Sequence, residues 1–465
     1  MRHFALLGAL SFGLVGCSSD RLNVPNYNNP TTEALAKDAN GVQLLATGML
    51  IAERNALAGY NQDIGIFGRE VYNYFTTDGR TVSNYLVGLS SPQRLDPGGF
   101  ANGNWTGRYQ NMKNAINLID VAGKTSLSAQ QKSAVTGFAK TLYGLDLMYI
   151  IQTRDTIGAP VEIPTTPSVP SPFVSRDEVY KAAFAALDEG KTALLAGGSA
   201  FPFTLPAGFT GFNTPTTFLK FNRAISAKLN VARGSLGCGA TCYQAALTAL
   251  NESFITNAAS LAELDIGPRH DYSTSAGDVA NGMSFAQNNY IYAHAQAVTA
   301  AQIQPNGSPD DRVVRKIIAL AAPVNPPGNQ NTPAAYRFLM YETPSSSAPI
   351  IRNEELLLLR AEANWATGNT AAALADLNIV RTISGKLAPL ASVPTGAAGL
   401  DLIMYEKYMS LLYEGVRWVD MRRWGRLAQL PIDRAGQFVA KVMPIPQAEC
   451  DARAPTRPKG CEGNL

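Results

Sequence analysis

The chain has 465 residues, a formal net charge of +3 and only 16% charged residues, against ~25% in an average globular protein. A surface of that kind has no basic stripe for phosphates, which argues against nucleic acid and favours neutral, polar ligands. His3 lies in the first twenty residues, so the body of the chain keeps only His270 and His294; an imidazole metal site is not expected, and neither is any cofactor.

The first sixteen residues read as a signal peptide. Arg2 precedes an apolar run from Phe4 to Val15, too short for the roughly 20 residues a spanning helix needs. Leu14, Val15 and Gly16 stand directly before Cys17, the pattern of a bacterial lipoprotein, so lipidation is expected at Cys17. Residues 17–30 then serve as anchor and tether, and 31–465 form one domain. Export places the four remaining cysteines in an oxidising compartment. Cys238 with Cys242, and Cys450 with Cys461, are close neighbours in sequence, and two local disulfides are expected.

Amphipathic helices are predicted over 109–122, 128–151, 176–195 and 401–424, with Ser175 and Glu178 as a capping box. The Pro-rich run IPTTPSVPSPF, 163–173, links two of them. Two near-matches to the phosphate loop, at Gly123-Lys124-Thr125 and Gly190-Lys191-Thr192, have Leu118 and Ala185 where glycine is required, and carry no nucleotide chemistry. An internal repeat is clearer. AKLNVARG (227–234) and AEANWATG (361–368) share Ala, Asn, Ala and Gly at fixed offsets, and are followed by AALTALN (245–251) and AALADLN (372–378). Matching on both sides of a turn marks a helix-turn-helix unit. In the second copy Leu356, Leu359 and Ala363 supply the inner face of one helix, Gly368 and Asn369 the turn, and Ala373, Leu374, Leu377 and Val380 the other helix. The first copy carries an insertion with Cys238 and Cys242.

The regions 60–104 and 257–349 are rich in Gly, Asn, Ser, Pro and Tyr and read as irregular loops with short strands, where a helical scaffold usually carries its binding surface. Flat aromatic faces and planar polar groups are what sugar recognition requires. The first region offers Tyr74, Arg80, Asn84, Tyr85 and Arg94; the second offers Gln287, Asn289, Tyr290 and Tyr292. Each tyrosine could equally pack its loop onto the helices.

The run LYEGVRWVDMRRWGR, 412–426, concentrates charge. Tyr405, Met409, Leu412, Val416 and Val419 recur at helical spacing as one buried stripe. Glu406, Glu414, Arg417 and Asp420 follow on the same helix, which predicts pairing of Glu414 with Arg417 and of Arg417 with Asp420. Two carboxylates could serve a glycosidase. A cation one turn from each favours the ionised form and opposes the raised pKa of a general acid, so a structural charge network is the expectation, with no catalytic residue.

Together LNVPNYNNPTTEA, WTGRYQNMKNAIN (Trp105, Tyr109, Asn117), NEELLLLRAEANWATGNTAAALADLNIVR, EKYMSLLYEGVRWVDMRRWGR and the closing VMPIPQAEC resemble the SusD/RagB family of outer-membrane nutrient-binding lipoproteins over nearly the whole chain. The cysteine pairs and the GCEGNL ending depart from the family pattern. The resemblance implies a mostly α fold, a tetratricopeptide-like helix-pair scaffold whose long irregular loops and few short strands form the ligand face. It implies a non-enzymatic lipoprotein on the cell exterior that captures oligosaccharides, or in some members peptides, for a SusC-like TonB-dependent barrel transporter. The alternatives are a secreted glycan-degrading enzyme and an adhesive or scaffolding helical-repeat protein.

Overall fold

The computed structural model describes residues 31–462, except position 39 and the segments 91–92, 101–102, 165–168 and 328–331. The expected signal peptide, Cys17 and the tether lie outside the described residues. After the short α1 (Thr32–Lys37) come the long helices α2 (Gly41–Phe67), α3 (Thr106–Lys124), α4 (Ala129–Arg154), α5 (Arg176–Leu195), α6 (Pro215–Arg233) and α7 (Ala240–Asn251). Further on are α8 (Asp311–Lys316), α9 (Asn353–Ala366), α10 (Thr370–Ile383), α11 (Gly396–Ser410), α12 (Arg417–Arg423) and α13 (Gln447–Ala452). The fold is mostly α, as expected.

From α2 to α7 each helix packs on the next, α7 packs on α9, and α9 packs on α10 and α11. Local chemistry sets the starts. Ser128 with Gln131 and Ser175 with Glu178 form capping boxes at α4 and α5, and Thr214 caps α6 ahead of Pro215, satisfying amides the helix leaves open. Close approach is set by glycine. A Cβ at Gly137 would lie 2.5 Å from Leu194 Cγ, and one at Gly144 2.8 Å from Leu187 Cγ, so α4 and α5 meet at a distance that alanine would not permit.

The repeat folds as predicted, with α6–α7 and α9–α10 as its two helix pairs. Leu356, Leu359, Ala363, Ala373, Leu377 and Val380 are buried, Gly368 turns with φ +84°, and the Asn369 side chain accepts from Ala372 N–H. The insertion in the first pair is a wide turn, Gly234–Cys238, clipped by the Cys238–Cys242 disulfide; Cys450 and Cys461 are bonded as well. The Gly190-Lys191-Thr192 match lies inside α5, and Gly123-Lys124 ends α3. No helix among the described residues is long and apolar enough to cross a membrane.

Two expectations are corrected. Residues 60–67 are the last two turns of α2, held in place because Tyr60, Ile64, Ile66 and Phe67 are buried. The predicted helix 401–424 is two helices. Tyr413 and Gly415 take φ values of +61° and +72°, and a Cβ at Gly415 would stand 2.5 Å from the Tyr60 ring. The crossing of α2 bends the chain there, and only glycine fits at the contact.

Strands β1 (Val71–Asn73), β2 (Leu89–Ser90), β3 (Gln93–Arg94), β4 (Arg269–His270), β5 (Ile291–Ala293), β6 (Ile317–Val324), β7 (Ala334–Phe338) and β8 (Ala348–Pro349) are short apart from β6. They form an antiparallel sheet in the order β1-β5-β7-β6 and two ribbons, β2–β3 and β4–β8. The four-stranded sheet joins the two loop regions across more than 200 residues of sequence.

Candidate ligand-binding face

Pairing of β1 with β5 sets Tyr72 opposite Tyr292 and Asn73 opposite Ile291, and Tyr74 N–H donates to the Tyr290 carbonyl at 2.8 Å. The two segments singled out in the sequence therefore meet at one place. Phe75 lies edge-to-face on Tyr290 at 4.9 Å, Tyr74 is 5.7 Å from Tyr292, and Tyr292 is 5.9 Å from Phe285, over which Arg337 stacks at 5.2 Å. The loop that leaves Phe75 is tied back by the Thr81 hydroxyl, which donates to the Asn73 carbonyl at 3.0 Å. It carries Arg80, held by Asp78 at 2.6 Å and stacked over Phe100 at 4.8 Å. Asn84 packs against Gly99, beside Phe100.

Three of the predicted contact tyrosines turn out to be framework. Tyr74, Tyr85 and Tyr292 are 1%, 6% and 7% exposed. The Tyr74 hydroxyl donates to the Thr332 carbonyl, that of Tyr85 bonds to Asp63, and that of Tyr292 donates to the Asn289 carbonyl at 3.0 Å. A large ring whose polar end already has a partner gains more from burial than from waiting for a ligand. Arg94 sits on β3, half-buried, on the ribbon that packs Gly88 against Phe438. Of the predicted set, Arg80, Gln287 and Asn289 are exposed, and Asn84 and Tyr290 are half-buried. The aromatic surface comes largely from residues the sequence reading passed over: Phe75 and Phe100, 37% and 39% exposed, and the partly buried Phe285.

Asp63, on α2, lies under this loop. Burial pushes its carboxyl up to about 7, with the Tyr85 hydroxyl, Arg154 and Asn104 pulling the other way. Asn104 Nδ2 donates to it at 3.2 Å, and the Arg154 guanidinium donates to the carbonyls of Gly103 and Asn104 at 3.0 Å each. Gly103 and Asn104 are thus pinned to the helical body. Both histidines are buried. Burial pushes His270 down to about 3, and His294 Nε2 meets Asp433 at 3.1 Å.

The charges of the 412–426 region pair elsewhere than predicted, because the helix breaks between Glu414 and Arg417. Glu414 is gripped by Arg352 at 2.8 Å and 3.0 Å. Glu406, fully buried, is held between Arg312 at 2.6 Å and Arg381 at 2.7 Å. Asp420 takes Lys407 at 2.7 Å and Arg423 at 2.8 Å, and both cations also hold Glu362. Arg417 forms no ion pair among the described residues; it donates to Gln296 at 2.9 Å and stacks on the Tyr408 ring at 3.3 Å. Burial pushes Asp420 up, but Arg423 and Lys407 outweigh it and hold the carboxyl at about 2. A carboxyl held that low is ionised near neutral pH and is no general acid.

Residues 286–456 match the model of the SusD family. The matched region is a little over a third of the chain. It spans β5 and the aromatic residues Tyr290 and Tyr292, the hub of paired charges, and α13. The SusD-like fold extends over almost the whole chain. A SusD superfamily protein from Bacteroides vulgatus ATCC 8482 superposes with a TM-score of 0.66 at 17% identity, covering 91% of this chain and 99% of that one. Surface glycan-binding protein A from Bacteroides uniformis gives 0.68 at 16% identity, covering 91% and 100%. A SusD-like carbohydrate-binding protein from Bacteroides fragilis NCTC 9343 gives 0.65 at 14% identity, covering 90% and 99%. No curated protein matches the chain.

Proposed function

We propose that this is a non-catalytic lipoprotein of the cell surface that binds oligosaccharides on the β1–β5 face and passes them to a TonB-dependent barrel transporter in the outer membrane. The observation that carries the reading is the pair of exposed Phe75 and half-buried Tyr290, next to Arg80–Phe100 and the exposed amides of Gln287 and Asn289, whose side chains have no hydrogen bond among the described residues. Aromatic rings take the C–H faces of a sugar, and planar amide and guanidinium groups hydrogen-bond its hydroxyls in pairs. The names of the SusD-like neighbours from Bacteroides uniformis and Bacteroides fragilis, a glycan-binding and a carbohydrate-binding protein, support the same ligand class. Attachment through Cys17 and the barrel partner rest on the N-terminal pattern and the family resemblance.

Against a glycan-degrading enzyme stands the pairing of Glu406, Glu414 and Asp420 with fixed cations. Peptide ligands stay open as a second class, since amides and aromatics serve both. The test is calorimetric titration with oligosaccharides and short peptides. Saturable binding without turnover, lost in Phe75→Ala/Tyr290→Ala, supports the reading; product formation by the pure protein overturns it. Co-purification of a barrel transporter with the membrane-extracted lipoprotein tests the partner.

A further inference from the structure

Along one side of α2, Gln43, Thr47, Leu50, Ile51 and Arg54 line a cleft that shares no residue with the β1–β5 face. Steps of four, three, one and three residues keep them on one helix face over ~16 Å. The other walls are the loop Thr204–Pro206, the end of β4 at His270 and Asp271, and the turn at Gly277 and Asp278. The volume is about 500 Å³, within the ~300–1,000 Å³ range of small-molecule sites. The walls are tied together. Gln43 Nε2 donates to the Thr204 carbonyl at 3.1 Å and Gln43 Oε1 accepts from Thr204 N–H at 2.7 Å, which fastens the loop to the helix. Arg54 donates to the Asp271 carbonyl at 3.1 Å and pairs with Asp278 at 2.6 Å. Ser347 donates to Asp271 Oδ1 at 2.6 Å. A cleft held at this many points does not have to be ordered by its ligand.

Its inner polar group is His270, which is 4% exposed. The ring nitrogens make no hydrogen bond among the described residues and are not sealed from solvent, so what they reach is the cleft. Phe209 packs edge-on against the ring at 6.3 Å. Burial, with Arg108 and Arg54 adding to it, keeps the imidazole neutral. A buried polar group without a partner costs stability, and a ligand that supplies the missing bond recovers it. Around His270 the lining is apolar, through Leu50, Ile51, Leu205 and Pro206, and Ile51 is 42% exposed.

We infer that this cleft binds a small neutral alcohol or phenol with a largely apolar body, its hydroxyl on His270, independently of the β1–β5 face. A neutral imidazole offers one N–H and one lone pair, and a hydroxyl can pair with either. The apolar walls take the body of the molecule. An anion meets the carboxylates of Asp271 and Asp278. A cation finds Asp278 already held by Arg54 and buries its charge against Leu50 and Leu205. A sugar would press most of its hydroxyls against apolar walls and would find no Phe, Tyr or Trp to stack on among the lining residues.

The experiment titrates 2-naphthol and cyclohexylmethanol into the native chain, Ile51→Glu, His270→Leu and Phe75→Ala/Tyr290→Ala, with 2-naphthoate, 2-naphthylmethylammonium and maltotriose as comparisons. Thermal melts confirm folding. Ile51→Glu changes an exposed helix position, so the test holds even where His270→Leu does not fold. The expected result is saturable binding of at least one of the two alcohols by the native chain and by Phe75→Ala/Tyr290→Ala. That binding is weakened at least tenfold in Ile51→Glu and at least fivefold in folded His270→Leu. No binding of either alcohol, equal binding by Ile51→Glu, unchanged binding by a folded His270→Leu, or tighter binding of either charged naphthalene overturns the proposal. Alcohol binding that vanishes with Phe75 and Tyr290 belongs to the β1–β5 face and overturns it too, as does maltotriose binding that Ile51→Glu weakens, which makes the cleft a sugar site.

Discussion

The hub around α9, α11 and α12 and the face around β1 and β5 are both built from polar and aromatic side chains, and they use them in opposite ways. In the hub Glu406, Glu362, Glu414 and Asp420 each meet a cation at 3.0 Å or less, nearly all out of reach of water. On the face the tyrosine hydroxyls are spent internally, while rings and amides remain uncovered. Paired buried charge fixes how helices meet. Uncovered rings beside uncommitted amides are what a neutral ligand can use. A dense run of charged residues therefore forms the brace, and the plainer loops carry the proposed recognition surface.

The contrast breaks most sharply at Glu406. Glu406→Ala leaves the buried Arg381 without a carboxylate and Arg312 with Asp310 alone among the described acidic groups, and should cost about 3–5 kcal/mol, as for other buried pairs that lose one partner. Denaturant titration, or failure to express, reads it out; a loss under about 1 kcal/mol, the range of a surface pair, would contradict the brace.

Next is the pH dependence of stability. Burial lifts Glu70 to about 8 and Asp63 to about 7, with Arg417 opposing in the first case and Tyr85 in the second. Both lie above the ~4 of an unfolded carboxyl, so their contribution is complete below about pH 4 and is lost as pH climbs through 7 and 8. Burial also works against charge at Glu354, but Arg352 and Lys316 hold it at about 2. Glu354 and Asp420 thus contribute above about pH 4 and lose that contribution on acidification. Stability should peak near about pH 4–5 and decline toward 8, and Glu70→Gln should flatten the alkaline limb by on the order of 3 kcal/mol. A flat profile between 5 and 8 in the native chain would rule out buried, unpaired carboxyls.

On the face, Phe75→Ala/Tyr290→Ala should weaken oligosaccharide binding at least tenfold while moving Tm by only a few degrees, since Phe75 is 37% exposed and ring stacking contributes about 1 kcal/mol beyond burial. The smallest effect is expected at Gln287→Ala, an exposed amide: about a two- to fivefold loss in affinity, matching one neutral hydrogen bond of roughly 0.5–1 kcal/mol, and no change in melting.

The helix pairs were legible because their signal is local. Alanine and leucine at helical spacing, a Gly-Asn turn and Ser-x-x-Glu or Ser-x-x-Gln caps each act within a few residues. Both disulfides were legible from short sequence separations. The break at Tyr413–Gly415 was not, since its cause is the Tyr60 ring more than 350 residues earlier in sequence. Separations of 62, 94 and 25 residues hid the partners of Glu414 and Glu406, which are Arg352 for the first and Arg312 and Arg381 for the second. The two loops singled out do meet, through β1 and β5, but three of the tyrosines named in them are buried. Tyrosine suits burial with its hydroxyl bonded as well as it suits a ligand, whereas Phe75 and Phe100, set in polar, Gly- and Asn-rich sequence, were the better signal for exposed rings.

The division of labour between hub and face is tested most directly by one calorimetric titration of an oligosaccharide panel into three folded proteins: the native chain, Phe75→Ala/Tyr290→Ala and Glu414→Gln. The account predicts that the best ligand binds the native chain and Glu414→Gln alike, with Glu414→Gln melting lower, and binds the aromatic variant at least tenfold more weakly at an almost unchanged Tm. Equal binding by the aromatic variant, or loss of binding in a well-folded Glu414→Gln, would contradict it.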